Sequence, residues 1–103
     1  MLEIKVLHNE KYHAWQTALQ NLQEVLEEND LEADVDIVLV EGEEQASELG
    51  MKGSPTIIID GHDADPKADR MKASLSACRI YLYKKKVYDF PPKEMIEKAL
   101  GLA

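Results

Sequence analysis

The sequence predicts an α/β domain, and three observations carry that reading. A short alternating strand opens the chain, an amphipathic helical stripe follows it, and two further strand-like runs flank a short helix that ends in glycine. In chain order the elements read β-α-β-α-β, then further strand material and a last helix. At 103 residues the chain has the length of one domain, and residues 1–103 are read as a single unit.

Residues 2–7 set Leu2, Ile4 and Val6 alternately with Glu3, Lys5 and Leu7, which reads as a short strand. After the polar stretch His8-Asn9-Glu10-Lys11-Tyr12, the residues Trp15, Ala18, Leu19, Leu22, Val25 and Leu26 recur at helical spacing. They form one apolar stripe and predict a helix over about 13–28, closed by Asn29-Asp30. Val35 to Val40 is a second strand, apolar enough to suit coverage on both faces. Gly42 breaks it. Glu43 to Leu49 is a short helix with acidic residues in its first turn, where the macrodipole favours them, and Gly50 ends it.

Thr56 to Ile59 is a third strand, β-branched throughout. A linker rich in Asp, Lys and Ala runs from Gly61 to about Ala77. Arg79 to Tyr83 alternates as a fourth strand, Lys84-Lys85-Lys86 turns, and Val87-Tyr88 pairs back. Pro91-Pro92 opens a final helix through Leu100, with Ile96, Ala99 and Leu100 on its apolar face. The β-α-β start implies a parallel pair with helices on both faces and few exposed edges.

Composition narrows the function. Twelve basic residues against twenty acidic ones leave a net charge of −8, which excludes the usual footprint of a nucleic-acid binder and disfavours an anionic membrane surface. Apolar residues are 45% of the chain, enough for an ordinary core. A single cysteine, Cys78, rules out an internal disulfide and a cysteine-based zinc site. Neither a secretory apolar stretch nor a twenty-residue apolar run occurs, so a cytoplasmic address is expected. No cofactor is implied.

The segment Gly53-Ser54-Pro55-Thr56 is the most informative. A proline between a helix end and an apolar strand cannot donate to a sheet ladder and belongs at the strand's first position or at a bulge. Here the chain resembles the thioredoxin superfamily, in which a small residue, any residue, then Pro and Thr or Val precede the third strand. The resemblance implies a cis Ser54–Pro55 bond facing a redox site at the end of the first strand. It also implies that the Ser54 backbone N–H and C=O are left unpaired, free to grip an extended peptide or a thiol. The bland alternative is an ordinary trans proline that opens a strand.

A narrower similarity is to small thioredoxin-fold proteins often labelled alkylmercury-lyase-like. It rests on Gly53-Ser54-Pro55-Thr56, Asp60-Gly61-His62-Asp63, Cys78-Arg79-Ile80-Tyr81 and Pro91-Pro92. The fold so implied is βαβ followed by αββα, a central mixed sheet flanked by helices.

The chain departs from that pattern at the first helix. The family carries Cys-Pro-x-x or Cys-x-x-Cys there, whereas this sequence sets Tyr12 at the first cysteine, His13 at the proline and Trp15 at the second cysteine. Dithiol exchange needs an attacking and a resolving thiol in reach, so this molecule cannot run it alone. Tyr12 and His13 could hydrogen-bond an anion or thiolate at a helix N-terminus. More plainly, Tyr12 and Trp15 are packing residues and the histidines surface groups. Nothing in the spacing of His8, His13 and His62 demands a metal, and none is expected.

Cys78 has two readings. It is a small buried hydrophobe, or a thiolate prepared by the adjacent Arg79. If Gly61 starts a simple hairpin with Arg79 to Tyr83, Cys78 lies away from Pro55. If Asp60-Gly61 is a tight turn, residues 62–65 run back and 66–77 cross over to deliver Cys78 beside the site. The second geometry accounts for the Cys-Arg of the resembled family. Lys84–Lys86 reads as a solvated turn that blunts an edge, and Glu24, Glu27 and Glu28 as a solubilising helix face.

The expected function is therefore a binding or adaptor module without a dithiol. It would use a groove of Tyr12, His13, Ser54, Pro55 and Thr56 to take a thiol, an extended peptide or a protein partner, as monomer or homodimer. The alternative is a single-cysteine thiol oxidoreductase, transferase or mercury-handling protein with Cys78 and Arg79 as its catalytic residues. A third possibility is a purely structural subunit that pairs through an open sheet edge.

Overall fold

A computed structural model describes residues 1–102 of the chain. Strand β1 (Leu2–His8) is the axis of the sheet. It pairs in parallel with β2 (Ala33–Leu39) from Leu2↔Ala33 to His8↔Leu39. The helix α1 (Trp15–Glu28) makes that parallel crossover possible. Two further elements follow, α2 (Glu43–Leu49) and a three-residue strand β3 (Lys52–Ser54). Strand β4 (Thr56–Ile59) then runs antiparallel along the other side of β1, with Val6 opposite Ile57. A short β5 (His62–Asp63) returns beside β4 and completes the order β2-β1-β4-β5. The architecture is mixed α/β, a mixed sheet with helices packed on it.

Alternation along β1 builds two cores. Ile4 and Val6 face α1, where they meet Ala18, Leu22 and Val25, together with Ile57, Ile59 and Ile96 of the last helix, α3 (Lys93–Ala99). Leu7 faces the opposite way and packs with Val40, Ala46 of α2 and Met51. Truncating a fully buried residue such as Leu22 to alanine should cost roughly 2–5 kcal/mol.

Helix ends follow local chemistry. The Asn29 side chain donates to the Val25 carbonyl at 2.8 Å, and Asp30 takes the left-handed conformation that turns the chain out of α1. Gly50 does the same for α2 at φ 76°. The last helix begins at Lys93 with Pro92 as its cap.

Beyond β5 the chain is more ordered than a linker. Asp65 caps a short 3-10 turn, Pro66–Arg70, by accepting the Lys67 N–H at 3.0 Å. Strand β6 (Ser74–Cys78) then pairs in parallel with β3. Neither strand shows in the sequence, since three residues that include a lysine and a glycine carry no strand signal. The expected fourth strand starts later than Arg79. It is β7 (Tyr81–Tyr83), paired with β8 (Lys86–Tyr88) as a separate hairpin outside the main sheet. Lys84 and Lys85 form its two-residue turn, both at positive φ.

One expectation is corrected. The apolar β2 is not covered on both faces: it is the edge strand, with Ile37 48% and Leu39 38% exposed. A continuous apolar run does not by itself separate an edge from a centre. No helix among the described residues is long and apolar enough to cross a membrane.

Candidate functional site

At the C-terminal end of β1, the segment Gly53-Ser54-Pro55-Thr56 meets Asn9, in the loop before α1, and strand β6. The Ser54–Pro55 bond is cis. Gly53 sits at φ 98°, and a Cβ there would come within 3.0 Å of the Ala77 carbonyl oxygen and 3.3 Å of the Arg79 nitrogen. Only glycine combines that backbone angle with so close an approach of β6.

The approach closes the grip expected at Ser54. The Arg79 N–H donates to the Ser54 carbonyl at 2.9 Å, and the ladder sets Ser54 opposite Cys78. The Ser54 hydroxyl accepts the Asn9 N–H at 3.1 Å. Ser54, Pro55 and Thr56 are all buried. Ser54 is therefore not an open backbone handle, because the chain's own strand already occupies it.

Of the two geometries open to Cys78, the tight turn is the one adopted. Asp60 and Gly61, at φ 47° and 85°, join Ile59 to His62 in a two-residue hairpin, and the chain beyond it returns to carry Cys78 alongside Ser54. Cys78 is exposed, so it is no core hydrophobe.

The pairing of Cys78 with Arg79 needs correcting. Their side chains point apart: Cys78 faces solvent while the Arg79 side chain is 0% exposed. The guanidinium turns inward and binds Asp63 through both carboxylate oxygens, each at 3.0 Å, and donates to the Thr56 hydroxyl at 3.2 Å. Arg79 is thus not placed to stabilise a thiolate at Cys78.

Three of the sequence motifs meet here in one buried network. Thr56 Oγ1 donates to the Gly53 carbonyl at 2.7 Å and accepts the Lys52 N–H at 3.1 Å. The Tyr81 hydroxyl donates to the Pro55 carbonyl at 2.6 Å, and the Arg79 guanidinium lies 4.6 Å from the Tyr81 ring centre. Burial works to lower the Arg79 pKa, yet the hydrogen bond to Asp63 and the surrounding Tyr81, Asp63 and Asp65 outweigh it and raise it. Burial pushes the Tyr81 phenol well above its ordinary value; Arg79 opposes that shift, and Asp63 and Asp65 add to it.

Asn9 ties the loop before α1 to the same region. Its side-chain oxygen accepts the Lys11 and Tyr12 N–H groups, both at 3.0 Å, and its side-chain nitrogen donates to the Leu75 carbonyl of β6 at 2.8 Å. Sequence reasoning missed it. The one available signal was the tendency of Asn, at a strand end, to bond the backbone two residues on. Between this loop and β6 lies a shallow depression of about 250 Å³, lined by Asn9, Lys11, Glu41, Leu75 and Ser76 among others.

Tyr12 is half-buried beside Lys11, whose ammonium is 5.3 Å from the ring centre, and His13 is exposed. Neither side chain makes a hydrogen bond among the described residues. His8 stacks on Trp15 at 4.3 Å. His62, opposite Ile59, stands at the other end of the sheet, and no group of three metal-binding side chains gathers among the described residues.

The profile of a family described as Domain of unknown function (DUF2703) matches residues 8–100. The chain belongs to that family. The match takes in Asn9, the buried network and the whole of β6, and its description assigns no activity. No curated protein matches the chain.

Proposed function

We propose that this DUF2703 protein is a thioredoxin-like binding module without dithiol chemistry, and that the outer edge of β6 is the surface it offers to an extended peptide. The observation that carries this reading is the 2.9 Å bond from the Arg79 N–H to the Ser54 carbonyl. In thioredoxin-like proteins the backbone before the proline is the grip for an extended ligand. Here an internal strand stands in that ligand's place, and the available edge moves one strand outward.

Several features support it. The β-α-β opening followed by an antiparallel β4 suits a thioredoxin-like domain. Among the described residues β6 pairs with β3 alone, and Ser76, Ala77 and Cys78 are exposed. An added strand would bond to that edge through its main chain, and one of its side chains would enter the depression beside Asn9. Tyr12 and His13, on the loop that Asn9 tethers to β6, would flank it.

A second reading rests on the exposure of Cys78. Its sulfur would attack one sulfur of a small disulfide, form a mixed disulfide and release the other half as a thiolate. With Arg79 turned inward, peptide contact is the better-supported role.

Amide chemical-shift mapping with a panel of extended peptides, and separately with reduced and oxidised glutathione, tests both. Peptide binding should perturb Leu75–Cys78 and Asn9–Tyr12 and survive Cys78→Ser. Peptides that perturb neither stretch would remove the first reading. Perturbation by oxidised glutathione alone, lost in Cys78→Ser, would favour the second.

A further inference from the structure

At the opposite end of the sheet from Ser54 lies a larger cavity, of about 780 Å³, between the β4–β5 turn, the β7–β8 hairpin and α3. That volume falls in the range of roughly 300–1,000 Å³ common to small-molecule sites. Leu2, Ile59, Met95 and Leu100 make its walls apolar, and Leu82 at its margin is 50% exposed. An exposed leucine at the mouth of an apolar cavity is a surface that a ligand could cover.

The charged groups around the cavity divide into committed and uncommitted. All three carboxylates on its acidic side already serve the fold. Asp60 accepts the Glu3 N–H at 2.9 Å, Asp63 holds Arg79, and Asp65 caps the 3-10 turn. On the basic side Lys84 is paired with Glu94 at 2.6 Å. Lys67 and Lys98 line the cavity with no carboxylate partner among the described residues, and Lys98 stands 5.2 Å from the Tyr83 ring centre. What remains without an ionic partner is therefore cationic: the exposed ammonium groups of Lys67 and Lys98.

We propose that this cavity is a binding site for an amphiphilic carboxylate, whose apolar chain or ring lies on Leu2, Ile59, Met95 and Leu100 and whose head group is held by Lys98 and Lys67. The chain as a whole carries −8, yet five of its twelve basic residues, Lys84, Lys85, Lys86, Lys93 and Lys98, fall on this hairpin and helix. Lys84 and Lys93 are paired with Glu94 and Glu28, and the three aspartates of the lining balance its three lysines, so an anion is directed by the unpaired Lys67 and Lys98 rather than by a net local charge. This site is independent of the β6 edge, and either proposal can fail without the other.

Decanoate and decanol, added below their aggregation concentrations and followed by amide chemical shifts, give the test. Decanoate should bind saturably, with shifts confined to residues 59–67, 82–84 and 95–100. Lys98→Ala, an exposed position, should weaken decanoate about fivefold, the loss of one partly screened charge contact, and leave decanol unchanged. Lys72→Ala, which removes an equal charge away from the cavity, should alter neither. Shifts that centre elsewhere, an affinity equal for the acid and the alcohol, or an equal loss in Lys98→Ala and Lys72→Ala would each overturn the proposal.

Discussion

Arg79 and Asp63, sixteen positions apart, are bound side by side through two hydrogen bonds of 3.0 Å, with the guanidinium wholly buried against the Tyr81 ring. This pair joins β5 to the segment after β6. Together with Thr56 and Tyr81 it fixes where β6 lies against the proline segment. The cation that looked suited to preparing a reactive cysteine instead holds the fold together.

Replacing Arg79 by Met should cost about 3–5 kcal/mol, because Asp63 would be left nearly buried without its partner. Asp63→Asn should cost about as much, since a neutral amide still accepts one bond but leaves the wholly buried guanidinium without its counter-charge. The double variant Arg79→Met, Asp63→Asn should lose less than the two single losses together. Urea unfolding of the three variants measures this, and additive losses in the double variant would contradict the pairing.

Tyr81 sets a pH dependence with a definite sign. An ordinary tyrosine titrates near 10, and burial holds the folded phenol above that. Above about pH 10 the unfolded chain sheds a proton that the folded chain keeps, so stability falls as pH rises, by up to about 1.4 kcal/mol per unit from this group. Tyr81→Phe removes that slope but leaves the Pro55 carbonyl without its donor, a cost of roughly 1–3 kcal/mol. Unfolding near neutrality and again above pH 10 should find the variant weaker at first and losing less thereafter.

Gly53→Ala tests the seat of β6. An added Cβ would press on the Ala77 carbonyl at 3.0 Å from a backbone at φ 98°. We expect a loss of about 1–3 kcal/mol and faster hydrogen exchange at the Ser74 and Arg79 amides, which bond to Met51 and Ser54. Unchanged exchange there would mean that β6 does not depend on this contact.

Asn9→Ala removes the acceptor for the Lys11 and Tyr12 amides and the donor to Leu75. A loss of roughly 1–3 kcal/mol is expected. Asn9→Asp should restore the two amide bonds and not the bond to β6. Chemical shifts of Tyr12 and Leu75 separate the two effects.

Much of the fold was legible, because its signals are local. The β-branched Thr56–Ile59, the stripe of α1, and α2 with its glycine stop lie where periodicity and capping put them. What escaped was tertiary. Strands β3 and β6 exist because each supplies the other's bonds, and neither holds a pattern alone. The apolar run of β2 reads as a central strand, and only the strand order reveals it as an edge. The motifs marked the right neighbourhood and misled about purpose. Pro55, Thr56, Asp63, Arg79 and Tyr81 do converge, but as mutual partners, and no residue type alone tells a bond to a ligand from a bond to the fold. The cavity by α3 was hidden because its walls come from distant stretches of the chain.

Hydrogen exchange at the Arg79 amide, followed with and without a bound extended peptide, bears most directly on the role of β6. Slow exchange is expected in the free protein, unchanged when the peptide binds, with new protection appearing at Ser76 and Cys78; the Ala77 amide already donates to the Ser74 hydroxyl at 3.2 Å. Rapid exchange at Arg79 in the free protein, or release of that amide as the peptide takes over the Ser54 carbonyl, would contradict that role.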